Sequence, residues 1–229
     1  MAVAIAVIVL AIVAFRSERR RRQQLAQLAT EMGFTYSELP ETDLAHELPR
    51  VPLAGLQVDA DPEFRNVMRG SAAGCEVIIA DRVITRGVGR SRGRSVSTVA
   101  AFKLAADFPP FILAPENFVW RAVEKLAGMA DIDIEGAPEF SRRFFLHGQD
   151  ETAVRAVFTP AVVQACEQLD GKSGLCVIAA GRWLLVSRPG DQVAAVKVRD
   201  FLEQAIPFVQ VFAAHTHSGF GWANSETRN

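Results

Sequence analysis

Cysteine, lysine, tyrosine and histidine are all scarce in this 229-residue chain, which holds three, four, one and four of them. The cysteines, Cys75, Cys166 and Cys176, have no CxxC spacing and are odd in number. That excludes a disulfide framework and a cysteine zinc site, and it fits reduced thiols in a reducing compartment. The histidines are no richer in chemistry. His215 and His217 form an HxH pair in a small polar tail, with no Cys or acid close by in sequence. His147 stands beside Asp150 and Glu151, and His46 lies in a proline-broken stretch. There is no serine nucleophile elbow, Walker A loop, HExxH or Cys/His pairing motif. The sequence therefore assigns no catalytic residue, no metal site and no cofactor.

Charge of one sign is also missing from most of the chain. Lys+Arg is 25 and Asp+Glu is 26, and the basic residues other than the four lysines are arginines. Residues 16–22 hold five Arg and one Glu, and without them 20 basic residues face 25 acidic ones. Residues 81–94 hold five Arg and one Asp, and without these as well the balance is 15 against 24. Positive charge is thus confined to two stretches on an acidic body, which argues against nucleic acid as a partner.

Only one long apolar run exists, MAVAIAVIVLAIVAF at 1–15, and it stops at Arg16. Fifteen helical residues span roughly 22 Å against roughly 30 Å of hydrocarbon, so the run is short for a membrane span. A cleaved signal peptide would need a basic residue before the run and a small-x-small site after it. Neither is present. A buried core helix is possible at this length, but a run apolar on every face suits lipid better than the interior of a small domain. A signal anchor fits best, with Arg16 snorkelling to the interface and the bilayer thinning locally. Arg16, Arg19, Arg20, Arg21 and Arg22 all flank its C-terminal end. The positive-inside rule then predicts an inner-membrane, single-pass protein with its N-terminus outside and its body in the cytoplasm.

The remainder predicts an α+β fold: a largely antiparallel sheet with flanking helices after an N-terminal transmembrane helix. The divisions are an anchor at 1–15, a basic juxtamembrane helix at 16–33, a cytoplasmic domain at 34–212 and a flexible tail at 213–229. A boundary between two small lobes is placed near 136–138. Leu25, Leu28, Ala29 and Met32 form a helical stripe that stops at Gly33. Phe34–Ser37 reads as a short strand, and prolines keep 38–62 irregular apart from a strand at Leu56–Val58. Three strand-like runs lie at 66–74, 75–86 and 96–105, with FILA (111–114) as a separate strand after Pro109 and Pro110. A helix is predicted at 116–127, an edge strand at DIDIE (131–135) and a strand at RRFFLHG (142–148). Asp150 and Thr159–Pro160 read as helix starts. LCVIAAGRWLLVSRPG reads as two strands around a turn near Ala180–Arg182. A helix over 191–205 ends at Pro207, with FVQVF as a separate apolar run. Trp120, Phe144, Phe145 and Trp183 are core candidates.

The loop ITRGVGRSRGRS (84–95) interleaves Arg86, Arg90, Arg92 and Arg94 with glycines. Backbone N–H groups and guanidinium forks of this kind bind phosphate, although the spacing is neither GxGxxG nor a P-loop. A solvated hairpin tip explains the same letters; on the functional reading these four arginines, with the five of the juxtamembrane block, are the candidate contacts to anionic headgroups or a phosphorylated partner. Asp131, Asp133 and Glu135 would share one face of a strand, as solvated edge guards more readily than as ligands of a divalent ion.

Two stretches, RRRRQQLAQLATEMGFTY at 19–36 and PEFSRRFFLHGQDETAVRAVFTP at 138–160, resemble an uncharacterised family of bacterial proteins. Its members have a single N-terminal membrane anchor and a cytoplasmic α+β domain. The resemblance implies that architecture and assigns no activity. Together these readings predict a non-catalytic binding or accessory module. Its partners would be the bilayer, through residues 1–22, and a membrane protein or the anionic lipid surface. The alternative is a membrane-anchored enzyme of hydrolase type, using His147 and nearby carboxylates in a site that the sequence does not spell out.

Overall fold

A computed structural model describes residues 2–48, 62–86, 93–116, 131–169 and 174–216, with the backbone alone at 2–14, 86, 215 and 216. The apolar run and the basic block are one helix, α1 (Ala2–Met32). Gly33, at φ 70°, ends it where a side chain would be strained. Leu25 and Ala29 are buried from the predicted stripe, and Leu28 and Met32 pack at its margin. Among the described residues no helix is long and apolar enough to cross a membrane.

The sheet is antiparallel and six-stranded. Its first strands are β1 (Thr35–Ser37), β2 (Glu63–Ala72), β3 (Cys75–Arg86) and β4 (Gly93–Pro115). They follow one another as the predicted meander. β5 (Phe144–Gly148) pairs with the second half of β4, and β6 (Cys176–Ser187) runs along both halves. The sheet therefore draws strands from both sides of Gly136–Pro138.

Alternation along the strands splits the buried residues between two faces. Val77, Ile79, Ala100, Phe102, Leu184 and Val186 join the larger core under α1 and the later helices. Ile78, Ala80, Val99, Ala101, Trp183 and Leu185 face the other way and are capped by Leu44, Ala45 and Leu48. The first two caps belong to α2 (Leu44–Glu47), a short helix within the stretch predicted to be irregular. Leu56–Val58 lies outside the described residues. Both faces being covered explains why these strands read as near-continuous apolar runs.

Three predicted breaks are absent. FILA is the end of β4, not a separate strand, because the chain passes through Pro109 and Pro110 with register shifts against β6 instead of turning. The two strands predicted around Ala180–Arg182 are a single strand. Gly181, at φ 55°, lies opposite Phe108 at that same irregularity, so β4 and β6 bend together. Pro207 does not end a helix but lies inside α6 (Val198–Thr216), whose Phe208, Val209 and Phe212 are buried. FVQVF is helical because its apolar residues face the core. A 3-10 turn at Ala195–Lys197 precedes α6, so the helix starts later than predicted.

The remaining helices are α3 (Pro138–Arg143), α4 (Glu151–Val157) and α5 (Pro160–Gln168). α3 takes Arg142 and Arg143 out of the predicted strand. The Asp150 carboxylate caps α4 by accepting from the Ala153 N–H at 3.0 Å, and Thr159 caps α5. DIDIE is not a strand. Its alternation survives, with Ile132 buried between exposed Asp131 and Asp133, but it meets β5 at Leu146 alone among the described contacts, through the Ile132 N–H to Leu146 O and the Leu146 N–H to the Asp131 carboxylate. Phe108, Phe111, Phe158 and Phe212 meet edge-on or tilted at 5.2–6.1 Å and join α4, α6 and β4. Phe144, Phe145 and Trp183 are buried as predicted, whereas Trp120 and the 116–127 helix beyond Glu116 lie outside the described residues.

Candidate functional site

The basic block divides by helical position. Arg16, Arg19 and Arg20 are exposed on α1. Arg22 pairs with Glu38 and, at 3.6 Å, with Glu18 one turn back. Arg21 turns inward. Its Nη2 and Nε donate to the two carboxylate oxygens of Asp81 at 2.8 and 3.0 Å, and its Nη1 donates to Val193 O at 2.6 Å.

Asp81 is the centre of a buried polar junction. It sits on β3 opposite Thr98 of β4 and Arg65 of β2. Its Oδ1 also accepts from the Thr98 hydroxyl at 2.9 Å. Its Oδ2 accepts from the Asn66 amide at 2.9 Å and the Gln192 amide at 3.0 Å. Asn66 reaches it because β2 carries a bulge between Arg65 and Met68, with Asn66 at φ 52°. Asn is one of the few residues that tolerates this conformation. The Tyr36 hydroxyl completes the junction by donating to Asn66 Oδ1 at 3.0 Å. Burial first, and then the carboxylate of Glu38, pushes the Tyr36 phenol up to about 12. The side chains of Arg21 and Asp81 are only 12% and 3% exposed. This is therefore a desolvated pair whose lone pairs and donors are matched, not a surface ion pair.

The junction fastens the helix that carries the apolar run to five other parts of the body: β1, β2, β3, β4 and the segment after β6. One signal for it was present in sequence. An acid in the middle of CEVIIADRVITR falls where both sheet faces should be apolar, and such an acid needs a partner. The identity of that partner, sixty residues away, was not legible.

The other predicted groups are dispersed. Arg86 and Gly93 form the last pair of the β3–β4 ladder, and Arg94 is exposed beside it. Arg90, Arg92 and His217 lie outside the described residues. His147 stacks on Phe145 with 6.3 Å between ring centroids. Asp131 accepts the Leu146 N–H at 2.9 Å, and partial desolvation of its carboxyl, on a residue otherwise exposed, raises it above the ordinary range. Glu116 is raised by burial and by the charges of Asp131 and Asp133. Among the described residues, no group of three or more His, Cys, Asp or Glu is placed to hold a metal ion.

These features describe an α+β body with a long N-terminal helix bolted to its sheet through a buried ion pair. The sequence matches no protein family and no curated protein. A solved structure of similar fold is the mycobacterial trehalose monomycolate transport factor A, TtfA, with a TM-score of 0.54 and 16% sequence identity. The match covers 86% of this chain and 94% of that one. At this identity the likeness is one of fold.

Proposed function

We propose that this chain is a membrane-anchored, non-catalytic accessory factor that serves a lipid-transport assembly. The observation that carries the reading is the Arg21–Asp81 junction. A helix that served only as a tether would have no use for a buried ion pair, whereas such a pair would hold the body in one orientation relative to the helix and so to the bilayer. The similarity of fold to a protein named as a lipid-transport factor supports the same reading. In this reading residues 1–15 anchor the chain, the N-terminus lies outside and the body is cytoplasmic. Arg16, Arg19 and Arg20 lie at the headgroups. Arg86, Arg90, Arg92 and Arg94 at the β3–β4 hairpin form a second anionic-surface contact, each adding up to roughly 1 kcal/mol near an anionic leaflet.

The test is purification of the full chain from its native membranes in mild detergent. An integral membrane protein recovered in stoichiometric amount is the expected result. A chain that carbonate strips from the membrane, or that is recovered alone, would overturn the reading.

A further inference from the structure

We infer that the groove between α5 and the Ile134–Glu139 turn docks a short peptide segment of a partner, in which an apolar side chain is flanked by Arg or Lys. This rests on the accessory-factor reading and names the chemistry of its partner. The groove is about 410 Å³. One wall is a single stripe of α5, Pro160, Val163, Gln164 and Glu167, at i, i+3, i+4 and i+7. Opposite it the turn is fixed by Gly136 at φ 79°, by the Ala137 N–H donating to Ile134 O at 3.1 Å, and by the Ile134 N–H donating to Ser141 Oγ at 3.2 Å.

The two walls are tied together. Arg143 of α3 donates to Leu169 O at 2.7 Å and to Glu167 O, capping the C-terminal carbonyls of α5. The groove is therefore preformed, which lowers the ordering cost of binding.

Its lining selects the occupant. Ile134, Ala137, Phe158 and Val163 give an apolar floor, Glu135, Glu139 and Glu167 supply three carboxylates, and no lining residue is Lys or Arg. Arg142 pairs with Glu139 from outside the lining and offsets only part of that charge. A phosphate headgroup would be repelled, and no Tyr or Trp is present as a stacking platform for a sugar. A basic segment with an apolar anchor complements both floor and rim. In the proposed orientation such segments are abundant, because cytoplasmic loops of membrane proteins carry excess Lys and Arg.

The probe is a fluorescein-labelled twelve-residue peptide with two central leucines and two arginines on each side. Its binding to the full chain in detergent is followed by anisotropy. E135Q/E139Q/E167Q and, separately, Q164W at the exposed rim should each weaken binding at least tenfold. E31Q/E76Q/E203Q, which removes equal charge from other exposed positions, should leave it unchanged. Equal loss in both triple variants, or none in the groove variants, would overturn the proposal. In native membranes the groove triple should also lose the co-purifying partner. If it retains the partner as wild type does, the groove is not the docking site and the accessory reading stands. If wild type itself brings no partner, that reading fails and the peptide measurement alone decides the groove.

Discussion

Arg21 and Asp81 show how much a single buried pair can decide. Truncating Arg21 to Met leaves Asp81 desolvated and without its counter-charge, which costs about 3–5 kcal/mol. Urea denaturation of R21M against wild type should show a loss of that size. Adding Asp81→Asn to R21M should recover part of it, since the amide removes the orphaned charge while its oxygen still accepts from the neighbouring donors of Thr98, Asn66 and Gln192. Tyr36 adds a pH dependence at the same junction. Its folded value of about 12 lies above the ordinary 10.0. The phenol therefore contributes stability that is fully present below pH 10 and is lost as pH rises through about 12. Y36F should flatten that part of the stability profile between pH 10 and 12. The thiols report burial independently. Cys166 and Cys176 are both pushed up to about 12, by burial first, whereas Cys75 is only partly covered. Iodoacetamide should label Cys75 in the native protein and reach the other two only on unfolding.

Elements were legible where a local signal sufficed and illegible where tertiary contacts overrode it. The end of α1 at Gly33, the Asp150 cap and the Thr159–Pro160 start could be read because capping is decided within a few residues. Pro109–Pro110, Gly181 and Pro207 were misread as breaks for a shared reason. Each is a local disruptor kept inside an element by packing on both sides of it. Gly181 makes the reasoning testable. Its φ of 55° opposite Phe108 would strain any residue with a Cβ, so G181V should cost at least about 1–2 kcal/mol in denaturant. Gly70 is constrained by contact instead, because a Cβ there would overlap the Phe34 ring just beyond α1. G70A should cost about 1–3 kcal/mol by overpacking, and pairing it with Phe34→Ala should relieve part of the strain. If G70A is neutral, the α1–β1 connection does not press on β2.

For the molecule as a whole, the two basic stretches were visible in sequence, but their division of labour was not. Counting charges treats the five arginines of 16–22 alike, yet helical position sends Arg21 into the body and leaves Arg16, Arg19 and Arg20 exposed. This fixes where the chain can be cut to test membrane contact. A truncation starting at Gln23 would remove Arg21 and strand Asp81, so weak lipid binding by that fragment would report damage and not electrostatics. A chain starting at Arg16 keeps the junction, the stripe of Leu25 and Ala29, and every exposed arginine. It should bind vesicles containing anionic lipid, and binding should weaken with salt as the Debye length shrinks from about 10 Å at 0.1 M to about 3 Å at 1 M. Changing Arg86, Arg90, Arg92 and Arg94 to Ser in that chain removes four of the candidate contacts while leaving Arg21 paired. Vesicle co-sedimentation of the two forms separates the alternatives. Weaker binding by the Ser form would place the hairpin at the bilayer, and equal binding would confine the lipid contact to the first turns of the basic block.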